Sequence, residues 1–438
     1  MAPNPIVMKA VETLNYRVTV GDVASQVGLD IKVAEQALLG LASEAGGHMQ
    51  VAESGEIAYL FPRNFRDIVR NKYWRLRFQE SWNKVWRIVF YLIRISFGAV
   101  LMASIALIFI AIFLIMIAAN SSNDRDGGWG DSSGHSGGGM GFPIWNWWFF
   151  SPDYGYYDSP QRRSRVRGEK SELNFLEAIF SFLFGDGNPN ADLEERRWQA
   201  IATVIRNNGG AIVAEQVVPY LDNLGERYQQ EYEDYMLPVL TRFNGRPEVS
   251  PDGQLIYHFP ELQVKATQRK INPVAAYLRE TAWKFSQASS GQIIGAIALG
   301  GVNLVGALML GSLLRGGVAA QLGGLVGFVA GIYGVLLAYG IGFLAIPLIR
   351  YFWVQWRNQR IEARNQQRQQ RAVVLNAALN AADDTVKQKL AFAQQFTTET
   401  IVDEADLAYT TETDLTEQEL RQADKIDAEW MQRLEQAD

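Results

Sequence analysis

Three stretches of this 438-residue chain, 95–119, 291–314 and 316–349, contain no charged side chain. About 20 consecutive apolar residues cross a bilayer core as a helix, and only a helix or a closed barrel satisfies the backbone there. The pattern predicts an integral membrane protein, mainly α, with transmembrane helices over 95–119, 291–314 and 322–349. The last two form an antiparallel hairpin, since only residues 315–321 join them. A first span beginning at position 95 does not read as a cleaved signal peptide.

The parts outside the spans contain a repeat. "VAESGEIAYLFP" (51–62) lies on "VSPDGQLIYHFP" (249–260) with a constant shift of 198 and no gap. Val51, Gly55, Ile57, Tyr59, Phe61 and Pro62 meet Val249, Gly253, Leu255, Tyr257, Phe259 and Pro260. Each copy alternates apolar and polar residues around a Gly-containing turn, a hairpin signal. Three helical patterns precede each hairpin in the same order. Residues 1–62 and 194–262 are therefore expected to be two winged-helix-like α+β domains produced by internal duplication.

Each hairpin hands the chain to a basic, aromatic segment. Over 63–94 there are nine basic residues against two acidic, and Trp74, Phe78, Trp82 and Trp86 recur every four residues. With Arg87 they are expected to sit at a membrane interface, as are Trp353 and Trp356 beyond the last span. A juxtamembrane helix is expected over 263–290. Residues 120–172 form a Gly/Ser- and aromatic-rich linker, and 173–193 an amphipathic or interfacial segment with a turn. In that turn Asp192 is the expected N-cap and Glu195 the partner of a capping box. A helix over 350–396 carries Arg357, Arg360, Arg364, Arg368 and Arg371 on one face, suited to anionic lipid or a partner. The tail, 397–438, is acidic.

Charge weighs against the usual ligand of a winged helix. Residues 1–61 hold three basic and seven acidic side chains, and 194–260 hold six and ten. Phosphate neutralisation supplies most non-specific DNA affinity, so nucleic acid is disfavoured as a partner. Gly323, Gly327 and Gly331 follow the GxxxG spacing of close helix packing. The spans hold no charge, which disfavours ion-coupled transport. Among their polar residues, Asn303 is expected to join helices by hydrogen bonding. With no cysteine and three histidines, the chain offers no thiolate nucleophile and no histidine-rich metal site. No cofactor and no enzyme activity are expected.

The segments "NFLEAIFSFLFGDGNPN" (174–190), "FFSPDYGYY" (149–157) and "EADLAYTTETDLTEQEL" (404–420) resemble a family of integral membrane proteins from cyanobacteria and plant chloroplasts. The resemblance implies a photosynthetic host and a thylakoid, plasma or envelope membrane. It supplies no site residue. Some plant members carry an iron–sulfur cluster biosynthesis label, but a chain without cysteine has no thiolate for such a cluster.

The function expected is that of a non-enzymatic membrane scaffold or assembly factor whose acidic winged-helix domains bind protein partners at the membrane surface. A passive channel on the Gly-rich hairpin is the first alternative and a membrane-tethered transcription regulator the second. Expected partners are lipids and other membrane or peripheral proteins, with a homo-oligomer as a further option. The cations before residue 95 place the N-terminus on the cytoplasmic side. Counting spans puts the second domain on the other side, whereas the duplication and later basic segments put both on one side; sequence alone leaves this open.

Overall fold

The computed structural model describes residues 3–123, 173–225, 232–268, 273–315, 322–380, 384–403 and 407–418, with scattered positions beyond. Most of the linker assigned to 120–172 and most of the last stretch of the tail lie outside them. The chain divides into two compact units. One comprises Met1–Ile88, Gly187–Trp283 and Gln355–Asp438, the other Val89–Asp186 and Lys284–Val354.

The first unit contains two modules of like connectivity. In the first, α1 (Pro5–Thr13), β1 (Arg17–Thr19), α2 (Val20–Val27) and α3 (Ile31–Ala45) precede the hairpin of β2 (His48–Ala52) and β3 (Ile57–Leu60). Side chains start the helices where orphan amides need acceptors. Asn4 accepts from Ile6 N at 3.0 Å, and Asp30 from Lys32 N at 2.9 Å. A separate short helix, α4 (Phe65–Lys72), follows the hairpin.

The second module runs through α7 (Leu193–Asn207), β4 (Ala211–Ile212), α8 (Leu237–Phe243) and the hairpin of β5 (Arg246–Val249) and β6 (Leu255–His258). The strand orders are β1-β3-β2 and β4-β6-β5. Tyr59 pairs with Val18 and Met49, and Tyr257 with Ile212 and Pro247. The glycine at each hairpin turn has positive φ, 86° at Gly55 and 79° at Gly253, a conformation that favours glycine at both places. Phe61 N donates to Tyr16 O and Phe259 N to Gly210 O, each at 2.8 Å.

The second module departs from its expected helices. Its middle helix is two 3₁₀ turns, Ala214–Gln216 and Val218–Tyr220, and its third is a short α8 preceded by another 3₁₀ turn. Pro219 and Pro238 lack the N–H a longer helix would use. Both modules share one core, in which Val11, Leu38 and Phe61 are continuous with Ile201, Phe243 and Phe259.

The second unit contains the later part of α5 (Trp74–Asn123), then α6 (Phe175–Phe184), α9 (Ser290–Leu314) and the first part of α10 (Gly324–Asn380). The helices α5, α9 and α10 are long and apolar enough to cross a membrane. The helices α9 and α10 run antiparallel: Gly300 lies against Phe343, Leu304 against Gly340, and Gly311 against Tyr333. Gly306 meets Ile108 of α5, and Gly98 meets Leu176 of α6. Arg350 donates to the Ser181 and Phe182 carbonyls at 3.2 and 2.8 Å, closing the end of α6.

Three further expectations need correction. The span and the arginine-bearing helix are one helix, α10, with Pro347 inside it. Among the described residues no juxtamembrane helix fills 263–290: 273–289 is irregular, and α9 starts at Ser290. Asp192 holds the N-cap position of α7 without a capping hydrogen bond and pairs with Arg196 instead, at 3.1 Å.

Candidate functional site

The two modules are joined through Asp22. It closes a capping box at the start of α2, exchanging hydrogen bonds with Thr19 at 3.1 Å in both directions. Its Oδ2 also accepts Ala266 N at 3.0 Å, and its Oδ1 accepts Arg206 Nη2 from α7 at 2.8 Å. The carboxylate is buried, and Arg206 donates again to Ser25 Oγ. A second tie crosses at Gly28, whose carbonyl accepts both Nε and Nη2 of Arg242. Gly28 has φ of 73°, and a Cβ there would stand 2.8 Å from Cβ of Trp198, so the backbone needs glycine twice over.

The polar part of α10 is bound to the second module and to residues 275–283. Arg364 forks onto Glu280, Nε to Oε1 at 2.7 Å and Nη2 to Oε2 at 2.6 Å. Arg368 is almost wholly buried and reaches Glu280 at 2.9 Å, the Leu278 carbonyl at 2.9 Å and Asp222. Arg371 donates to the Leu221 carbonyl at 2.7 Å. Burial alone would raise the Glu280 carboxyl, but the hydrogen bonds and charges of Arg364 and Arg368 hold it below the usual carboxylate range.

Two asparagines take the place of a strand along this segment. Asn365 accepts Glu280 N and donates to Glu280 O, both at 2.9 Å. Asn358 does the same with Trp283, at 2.8 and 2.9 Å. Their four hydrogen bonds satisfy a backbone that has no helix of its own. Nearby, the Tyr220 hydroxyl donates to Ala275 O at 2.6 Å, and burial pushes that phenol up to about 12.

The chain after α10 straps both modules. In α11 (Asp384–Gln394), Lys389 meets Glu215 and Glu233, each at 2.9 Å. Burial would lower its pKa, but the two carboxylates outweigh that and raise it. The strand β8 (Thr400–Ile401) pairs in parallel with β7 (Val264–Lys265), and β9 (Leu407–Thr410) pairs antiparallel with β2. Beneath the strap lies a groove of about 450 Å³ lined by Asn208, Ala211, Leu390, Gln394, Thr398 and Glu399.

The residues singled out from the sequence divide accordingly. Phe78, Trp82 and Trp86 are all more than half exposed, Arg87 is exposed, and Phe78 stacks on Trp82 at 5.8 Å. The Trp74 side chain lies outside the described residues. Trp353 and Trp356 are exposed, and the Arg360 guanidinium sits 3.8 Å from the Trp356 ring centre. Arg357 lies over Trp283 at 4.8 Å. Of the arginines expected to meet anionic lipid or a partner, Arg364, Arg368 and Arg371 face carboxylates and carbonyls of the chain itself. A Cβ added at Gly323 or Gly331 would meet nothing within 4 Å, and one at Gly327 only the Leu322 carbonyl at 3.8 Å. The close approaches fall instead at Gly98, Gly300, Gly306, Gly311 and Gly340. Asn303 is wholly buried, and neither side-chain atom has a hydrogen-bond partner among the described residues, so it does not join helices there as expected.

Sequence reasoning missed Asp22, Glu280 and the strap. Only the Thr19-to-Asp22 spacing carried a signal, that of a capping box. No protein-family model matches the chain. No solved structure matches it either. An uncharacterized chloroplastic protein of Arabidopsis thaliana is 35% identical over 427 residues, covering 94% of this chain and 79% of the plant protein.

Proposed function

The chain belongs to the family of that chloroplastic plant protein, and we propose that it is a non-enzymatic, membrane-anchored scaffold with two winged-helix-like modules produced by internal duplication. The observation that carries this reading is the fusion of both modules into one unit through Asp22, Arg206 and Arg242. Modules that share a core share a compartment, so this reading puts both on one side of the bilayer; with α5, α9 and α10 inserted, the chain must then return across it between α5 and the second module.

In this reading α5, α9 and α10 are inserted. Their outward residues are apolar: Phe113, Val305 and Val335 are 58%, 66% and 70% exposed, which suits lipid and not water. The exposed Phe78, Trp82 and Trp86 beside Lys84 and Arg87 lie at the headgroups. The basic residues before the first span favour the cytoplasmic or stromal face of a thylakoid, plasma or envelope membrane for the modules. Acidic modules there favour protein partners over nucleic acid. Chemical crosslinking and affinity capture from mild detergent should return a stoichiometric membrane-protein partner. Protease added to oriented vesicles should cut the loops of both modules or of neither. Cleavage of one alone would refute the shared side, and recovery of the uncomplexed chain at native abundance would refute the scaffold.

A passive polar path is the second reading, favoured by Asn303, a buried amide with both ends unpaired inside α9. Flux of small neutral solutes into liposomes tests it; flux equal to that of protein-free liposomes would end it.

A further inference from the structure

The twin hairpins differ at their outer edges. Under the shift of 198, β2 and β5 are equivalent strands, and Met49 corresponds to Pro247. Met49 turns its backbone outward: its N–H donates to Thr411 Oγ1 at 2.8 Å, and its carbonyl accepts Thr411 N at 3.0 Å. Val51, two residues on, faces the same way and pairs with Tyr409. The outer row of β2 is thus a strand acceptor filled by β9. Pro247 sits opposite Tyr257 as Met49 sits opposite Tyr59, and it has no N–H to present at that place. A proline with its missing donor outward closes a sheet edge to further strands. Among the described residues, no strand pairs with the outer side of β5.

The occupant of the open edge is a self-contained cap. Gln418 folds back on β9, accepting Thr410 N at 3.0 Å and donating to the Thr410 and Thr413 carbonyls at 2.6 and 2.7 Å. Those bonds satisfy both backbone groups of Thr410, on the far side of β9, from within residues 407–418. The pairing to β2 is short, Gln50 with Thr410, Val51 with Tyr409 and Ala52 with Leu407, and its register shifts between Val51 and Ala52. None of these contacts depends on β9 belonging to the same chain.

We propose that the outer edge of β2 is a strand-docking site whose occupant exchanges between copies, residues 407–418 of a second copy replacing the chain's own to give a strand-swapped dimer. This goes beyond the membrane reading and stands without it, because the first module and the tail alone carry it. Exchange of an identical element reuses the native contacts, so it costs little. An uncovered edge pairs with any strand that fits, and β9 is the strand this edge fits. Pro247 leaves the exchange one destination on each chain.

The absence of native cysteine makes a direct test simple. Full-length Val51→Cys and full-length Tyr409→Cys proteins are mixed in detergent and oxidised. The expected product is a covalent dimer holding one chain of each kind, with a yield that rises with concentration. Met49→Pro on the first chain, copying the closed edge of the second module, should abolish it. So should Thr411→Pro on the second chain, which removes the same hydrogen bond from outside the module. The double variant Val51→Cys/Tyr409→Cys should close within one chain. The proposal fails if the double variant closes while the mixed singles stay monomeric, or if the double variant does not close at all. It also fails if the mixed dimer survives both proline substitutions.

Discussion

Arg206, in the last turn of α7, and Asp22, in the first turn of α2, form a 2.8 Å ion pair that links helices from the two modules. The Asp22 side chain is fully buried and Arg206 is 12% exposed, so neither charge has water as an alternative partner. Truncating one partner of such a pair leaves the other charge uncompensated, at a cost of about 3–5 kcal/mol. Asp22→Ala should therefore lower the unfolding free energy by about that amount, and it also loses the cap and the acceptor for Ala266 N. Asp22→Asn keeps one acceptor oxygen for Thr19 N and Ala266 N but turns an NH2 toward Arg206, so it should recover only the part of the loss due to the cap and Ala266 N. Urea unfolding followed by tryptophan fluorescence checks the ranking.

Gly28→Ala should destabilise by more than the roughly 1 kcal/mol of a left-handed backbone position alone. The new methyl would meet Trp198, and the Arg242 bonds to this carbonyl would shift with it. Gly40→Ala should be neutral or slightly stabilising, since it is mid-helix with open space around it. Paired thermal melts separate the two.

Acid should loosen α10 from its segment at Glu280. This carboxyl is held below the ordinary value of about 4.3, so its contribution is complete above that pH and is lost as the pH falls through the lowered folded value. Glu280→Gln should melt well below wild type at neutral pH. The two curves should converge as the pH drops below about 4; a constant gap down to about pH 2 would contradict the assignment.

Within the apolar unit, Gly98→Leu and Gly300→Leu should each destabilise by about 1–3 kcal/mol through overpacking. Gly327→Leu and Gly331→Leu should leave the detergent melting temperature unchanged, because their neighbourhoods are open. Equal effects at the two sets would invert the packing described above.

Asn303→Leu should raise the melting temperature. The amide makes no hydrogen bond in its buried site, and an unpaired buried polar group costs about 1–3 kcal/mol that an apolar side chain of similar size avoids. A lowered melting temperature, together with loss of solute flux, would favour the polar-path reading over the scaffold.

The sequence made some of this legible and hid the rest for physical reasons. The apolar helices announce themselves through composition, and the hairpins through local alternation around Gly55 and Gly253. Both signals are contained within a short window. The strap is not: β9 owes its strand to β2, more than 350 residues earlier, and "LAYT" alone is too short to declare itself. The arginines of α10 did show as one face, but periodicity does not reveal what a face meets. Glu280 lies in a segment expected as a juxtamembrane helix and found irregular over 273–289, and Asp222 just beyond the second module's 3₁₀ turns, so the partners that turn the face inward were not legible. That the two modules touch was likewise undecidable from charge; the contact of Asp22 with Arg206 shows it.

The asparagine pair on α10 has a mechanical consequence. Positions seven residues apart lie almost two full turns on, so Asn358 and Asn365 point along nearly the same line. A helix gripped at two such points can neither slide by one residue nor rotate, since either movement would strip both amides from Glu280 and Trp283 at once. Slippage would cost four hydrogen bonds together, whereas a rigid displacement keeps them all. Within this unit the pair therefore keys residues 280–283 to a single register on α10.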